Sequence, residues 1–317
     1  MKILVSMLAV LSAFGATTAV AQYPERAVQL IVPFAAGGPI DGSGRLVASA
    51  LSELWSNAVV IDNRPGAGGA IGTQEAIQAE PDGYRLLLGS FGPLVIAPAI
   101  GQADYDVLDG LVPVSLVSRS PQVLAVSASV PIESIEAFIA YAQDNPFEIS
   151  VASAGLATSP HLAIELMAQE AGIDVVHIPY RGTSMAIPDV LGGTVQAIMG
   201  DVATLAGPIK DGGLRPLAIT AAERLEQFPD VPTMAESGLP TVASYNWSAI
   251  FAPRDTPVEI IEQISQAVIE VSAQDSYREL MLGQGISPLS GTPEETLQYF
   301  QDEVALWSPI IANIEIE

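Results

Sequence analysis

Two glycine-bearing loops hold the residues whose types and spacing could do chemistry. The first, Phe34-Ala35-Ala36-Gly37-Gly38-Pro39-Ile40-Asp41, follows an apolar run and opens a segment of helical periodicity. Paired glycines let a backbone come close to a bound group, and the N–H groups of a helix start attract an anion without a cationic side chain. Asp41 has the residue type of a helix N-cap, and that structural role is the one its position first suggests. The second loop, Ser153-Ala154-Gly155-Leu156-Ala157-Thr158-Ser159-Pro160-His161, again stands between a strand-like and a helix-like segment. It offers three hydroxyls and a glycine, with Pro160 suited to a first helical turn. Ser159 fits a helix N-cap and a ligand contact equally well. Two such loops facing each other, rich in amides and hydroxyls, suit the grip of a carboxylate.

The remaining reactive inventory is sparse. There is no cysteine, and only two histidines. His161 and Glu165 are spaced i,i+4, which could present a metal-binding face, but a hydrogen bond or helix-start cap is the commoner use and two histidines do not build a usual zinc site. His177 stands in an apolar strand, as a satisfied core histidine would. Gly89-Ser90-Phe91-Gly92 is only a fragment of a nucleophile elbow, and the stretch from Gly66 to Gly72 misses the dinucleotide spacing because Ile71 stands where the third glycine belongs. The chain is therefore expected to be no enzyme and to use no cofactor or metal, with a hydrolase on an α/β scaffold as the weaker alternative.

The elements that must position the loops alternate. Strand-like runs at 28–34, 59–61, 85–88, 123–126, 149–152, 175–178, 195–199, 215–220 and 245–251 are interleaved with helical stretches at 41–55, 134–144, 159–171, 184–191, 202–210, 257–272, 276–283 and 294–311. That order is the signature of βαβ units and a parallel sheet, and places both loops where α/β sheets bind ligands, beyond the carboxyl ends of strands. A chain of 317 residues exceeds what one core usually organises. Two lobes are expected: residues 22–121 with 246–317 as the first, and 122–245 inserted as the second, with hinges around 118–123 and 241–246.

Composition narrows the setting. Twelve basic against 36 acidic residues give a net charge of −24, which argues against nucleic acid and anionic lipid as partners. Lys2, an apolar run too short to span a bilayer, and Ala19-Val20-Ala21 read as a signal peptide over 1–21, cleaved before Gln22, rather than an anchor helix. An oxidising compartment without cysteine leaves packing as the source of stability.

Longer segments carry a resemblance. VPFAAGGPID (32–41), NRPGAGGAIGT (63–73), PDGYRLLLGS (81–90), VASAGLATSPHLA (151–163), VHIPYRGTSMAIPDVLGGTVQ (176–196), FPDVPTMAESGLP (228–240) and WSAIFAP (247–253) resemble, in order, the Bug family, the periplasmic receptors of tripartite tricarboxylate transporters. The resemblance implies a type II, Venus-flytrap α/β binding protein of two Rossmann-like lobes that close on a small organic carboxylate. Its expected partners are that ligand and membrane permease subunits, with the chain itself a periplasmic monomer. A role as the ligand-sensing partner of a signalling system is the alternative. Carried over, the ligand site is Phe34, Ala36, Gly37, Gly38 and Asp41 from the first loop and Ser153, Ala154, Gly155, Thr158 and Ser159 from the second. Ser90 and Phe91 border the cleft, as does the turn holding Tyr180, Arg181 and Gly182. Arg181 could equally form a surface ion pair. The chain departs from the family where Ile40 replaces a threonine and where Leu156 and Ala157 replace a more polar pair. An aspartate that pairs with the ligand ammonium in amino-acid binders aligns with Gly200; a one-residue shift would restore it as Asp201, which is counted with the ligand-binding residues. The Gly200 register favours a di- or tricarboxylate or an aromatic acid over an amino acid.

Overall fold

The protein is described here by a computed structural model covering residues 23–312, so the expected signal peptide lies outside the described residues. The chain starts with a βαβαβ unit: β1 (Val28–Val32), α1 (Pro39–Trp55), β2 (Val59–Asn63), α2 (Ala70–Ile77) and β3 (Arg85–Ser90). The β-branched VQLIV of β1 is almost wholly buried and pairs in parallel with β2 and β3. Helix α1 starts with proline in its first turn, buries Val47, Ala48 and Leu51, and ends at Ser56 in a left-handed conformation (φ 53°). A glycine inside it has a packing reason, because a Cβ on Gly44 would stand 2.9 Å from Leu88 Cδ2.

A wide π-type turn over Gly92–Ile96 leads to the short α3 (Ala97–Ala99) and α4 (Val107–Gly110), and then to β4 (Leu111–Ser127), 17 residues long. The second lobe follows as α5 (Ile135–Asp144), β5 (Ser150–Ser153), α6 (Ser159–Ala171), β6 (Val176–Pro179), α7 (Thr183–Leu191), β7 (Ala197–Asp201), α8 (Val202–Lys210) and β8 (Leu214–Ile219). The chain returns through β9 (Tyr245–Pro253) to α9 (Val258–Ser272), α10 (Asp275–Gly283), β10 (Ser287–Pro288) and α11 (Pro293–Ile311). Helix α11 has the clearest start signal of all: Thr292 and Glu295 form a reciprocal capping box.

Ten strands join in the order β2-β1-β3-β9-β4-β7-β5-β6, with β10 and β8 added alongside β4. Each lobe has three parallel strands, β2-β1-β3 and β7-β5-β6, but β9 and β4 run antiparallel between them. The sheet is therefore mixed, not parallel as the alternation of elements suggested. The exchange happens inside β4, whose partner is β9 as far as Pro121 and β7 and β8 from Gln122 onward. One apolar cluster continues through this crossing, from Leu87 and Phe91 past Trp247 to Leu124, Phe138 and Met167. Separate clusters cover the outer face of each lobe.

Candidate functional site

Both loops leave the carboxyl ends of their strands, β1 and β5, and face each other across a cleft of about 590 Å³ between the lobes. A larger surface groove, about 840 Å³ along α9 and the start of α11, shares no residue with them. It is lined by Glu259, Glu262 and Glu294 and by no lysine or arginine among the described residues.

The first loop is shaped by Asp41. Its carboxylate is buried and accepts hydrogen bonds from Gly37 N–H (2.8 Å), Arg45 Nε (2.8 Å) and Asn63 Nδ2 (2.9 Å). Burial opposes ionisation, but these donors outweigh it and hold the carboxyl below its usual range. Asp41 is not the N-cap. The helix starts two residues earlier, with Gly38 at the cap and Asp41 in the first turn reaching back to Gly37. Gly37 adopts φ 88°, a conformation open to glycine. Amides of a helix first turn have no intrahelical partner, and here that end points into the cleft.

The second loop repeats the plan at α6. Thr158, not Ser159, is the N-cap residue, and its Oγ1 donates to Gly155 O at 2.8 Å. Ser159 is the first helical residue and borders the cleft, with Pro160 in the first turn. The loop is tied to the turn after β6, since Tyr180 N–H donates to Ser153 O (3.1 Å) and Gly182 N–H to Ala154 O (2.9 Å). Gly155 sits at φ 141°, and a Cβ there would stand 3.0 Å from Tyr180 O.

Between the loops, Arg181 is exposed on the cleft wall and makes no ion pair among the described residues. At the cleft floor Asp201 is buried, and Asn246 Nδ2 reaches its Oδ2 only at 3.5 Å. Its Oδ1 has no partner among the described residues, and burial pushes its pKa up to about 7. A Cβ on Gly200 would meet Thr183 Cγ2 at 2.5 Å, so that position is closed to a side chain. Asp201, one residue on, is the carboxylate that borders the cleft.

Comparison with known proteins decides the family. A family described as the tripartite tricarboxylate transporter family receptor matches residues 44–316. The chain belongs to that family. It is 36% identical to BugT of Bordetella pertussis, over 96% of each chain. Among solved structures, a Rhodopseudomonas palustris protein with adipate superposes with a TM-score of 0.83 at 31% identity, covering 92% of this chain and 97% of the other. MatC from Rhodopseudomonas palustris with bound malate gives 0.79 at 28%, covering 91% and 100%. The periplasmic binding protein BugD gives 0.81 at 30%, covering 93% and 99%. This receptor family consists of solute-binding proteins rather than enzymes, and the two-lobed α/β architecture is that of its solved members. Among the described residues of this receptor, no helix is long and apolar enough to cross a membrane.

Of the residues singled out from the sequence, Phe34, Ala36, Gly37, Gly38 and Ser90 border the receptor's cleft from one lobe. Ala154, Gly155, Thr158, Ser159, Arg181, Gly182 and Asp201 border it from the other. Asp41, Phe91, Ser153 and Tyr180 do not. Asp41 works from behind the loop, and Phe91 packs edge-on against Trp307 with ring centroids 5.2 Å apart. Ser153 is buried, and Tyr180 donates to Asp189 Oδ2 at 2.6 Å, which pushes its phenol up to about 12. Sequence reasoning missed Thr183, Ser184 and Met185, which follow the turn at Gly182 directly. It also missed Thr204, three residues past Asp201, and Gly68 and Asn246, which only the folding of distant segments brings here. His161 and Glu165 stand 3.5 Å apart, and among the described residues no group of three ligating side chains could hold a metal.

Proposed function

We propose that the chain is an extracytoplasmic receptor that binds a small organic carboxylate between loops 34–41 and 153–159 and delivers it to a tripartite tricarboxylate-type permease. The observation that carries this reading is the pair of helix starts, α1 and α6, aimed into one cleft from opposite lobes. A carboxylate there meets backbone amides and the partial positive ends of two helices, and Arg181 adds a cation on the wall. Attraction must be local, because distant surface carboxylates are screened beyond a Debye length of about 8 Å at physiological salt. Ile40, Leu156 and Met185 give the cleft an apolar side, which suits a ligand with a carbon chain or ring. Neighbours solved with adipate and malate fit that description. The chain works in the periplasm after cleavage at Ala21, as a monomer with lobes at 22–121 plus 246–317 and 122–245. The change of partner along β4 at Pro121 and Gln122 supports that division.

A thermal-shift screen of the mature chain against mono-, di- and tricarboxylates, aromatic acids and amino acids tests the reading. Ligand at about 100 times its Kd stabilises by about 2.7 kcal/mol, a shift of several degrees for a protein of this size. If no carboxylate raises the midpoint while another ligand class does, the proposal is wrong.

A further inference from the structure

The second loop is held from behind by the chain's two histidines. On the first turn of α6, His161 Nδ1 accepts a hydrogen bond from Ala157 N–H at 3.1 Å. Its Nε2 lies 3.5 Å from Glu165 Oε1, one turn along the same helix. In β6, His177 Nε2 lies 2.6 Å from Ser153 Oγ, which in turn accepts from Gly155 N–H at 3.1 Å. The two rings stack, with centroids 4.0 Å apart and planes 14° from parallel. Both ends of the 153–157 turn are therefore tied to one imidazole pair, and neither imidazole borders the cleft.

The turn needs the tether. Ala157 sits at φ 51°, a left-handed conformation that disfavours a residue with a Cβ by about 1–2 kcal/mol, beside Gly155 at φ 141°. The tether also fixes a protonation state. Nδ1 can accept from Ala157 N–H only when His161 is neutral with its proton on Nε2, facing Glu165. A proton added at Nδ1 would set two donors against each other and free Ala157. Burial and the neighbouring His161 keep His177 neutral, pushing its pKa down to about 4, with Glu165 opposing. Glu165 faces both rings, and its charge favours the protonated form of His177 while His161 opposes it.

We propose that His161 and His177 are positioning residues for ligand binding: as a stacked pair they hold the 153–157 turn in its binding shape. This rests on the carboxylate reading of the loop. Its first test does not. With only two histidines, long-range nitrogen–proton NMR of the ligand-free chain reports each ring directly. At about pH 7.5, in the range where histidine charge normally changes, His161 is expected as the neutral Nε2–H tautomer. The Nδ1–H tautomer would overturn the tether whatever the chain binds.

The second test is calorimetry with adipate and with malate at about pH 7.5. His161→Asn places its Oδ1 where Nδ1 stood and keeps an acceptor for Ala157 N–H. It should bind within about threefold of wild type. His161→Leu, folded by its thermal midpoint, should bind about tenfold more weakly, the worth of one hydrogen bond. His177→Phe keeps the stack but drops the Ser153 contact, and should weaken binding by about threefold. Wild-type affinity in His161→Leu, or binding in His161→Asn as weak as in His161→Leu, would overturn the proposal; wild-type affinity in His177→Phe would remove His177 from it. If neither acid binds the wild type, the binding part falls with the carboxylate reading, while the tautomer still decides the tether.

Discussion

Asp201→Asn should stabilise this protein at alkaline pH and leave it nearly unchanged in acid. Asp201 is 4% exposed at the end of β7, with Oδ1 unpartnered among the described residues and Oδ2 reached by Asn246 only at 3.5 Å. Across the strand pair stands Gln122, whose side-chain amide is also buried without a partner among the described residues. Burial moves the carboxyl from 3.8 to about 7, and at about 1.4 kcal/mol per pKa unit this corresponds to at most about 4 kcal/mol. The sign is opposite to that of a salt-bridged aspartate. The unfolded chain releases this proton near 3.8 and the folded chain keeps it to about 7. Between those values the folded state binds more protons, so stability falls as pH rises, and the full cost is present above pH 7. Asparagine never ionises and escapes it. Urea unfolding of both proteins at about pH 4.5 and 8.5 should show the variant gaining about 2–4 kcal/mol relative to wild type between the two. Glu303, also pushed up to about 7 by burial beneath Trp247, titrates in both proteins and cancels. A difference between variant and wild type that is equal at both pH values would refute this account of Asp201.

Other substitutions separate the roles around the cleft. Gly155→Ala places a methyl 3.0 Å from Tyr180 O at φ 141° and should weaken ligand binding by about tenfold or more. Gly37→Ala meets no heavy atom within 4 Å, so its cost should be the backbone term alone, about 1–2 kcal/mol by urea unfolding. Arg181→Ala should leave unfolding within about 0.5 kcal/mol of wild type, because the side chain is exposed and unpaired, while clearly weakening calorimetric affinity. Unchanged affinity would take Arg181 out of the site. Asp41→Asn should cost about 1.5–3 kcal/mol near neutral pH through its charge-assisted bonds. With a depressed pKa, Asp41 stabilises above about 3.8 and loses that contribution as pH falls through its folded value, so the difference should shrink in strong acid.

Much of the fold was legible because its periodic segments agree with their burial. Helix α6 spans the expected 159–171, and β1, β2 and β3 begin at the expected 28, 59 and 85. The first half of β4 was not legible. LVPVSLVSRSP carries two prolines and three serines, and its register shifts between Pro113 and Ser115 and between Leu116 and Ser118 break any simple alternation. Missing it also hid the antiparallel centre of the sheet. Both loops were visible because glycine, hydroxyl and helix-start residues are adjacent in sequence. Asp41 was assigned to the cap by residue type, yet Pro39 fits the first turn and moves the helix start back to it. Asn246 carries no local signal, since its place beside Asp201 depends on the pairing of β4 with both β7 and β9. The stack of His161 on His177 is equally a product of the fold, joining a helix start to a neighbouring strand.

The central claim is that one carboxylate is held by two loops from two lobes. Amide hydrogen exchange of the mature chain, with and without the acid that gives the largest thermal shift, tests it most directly. The account predicts added protection in both 34–42 and 153–161 at the same ligand concentration. Protection confined to one of these segments, or found along α9 and α11 instead, would contradict it.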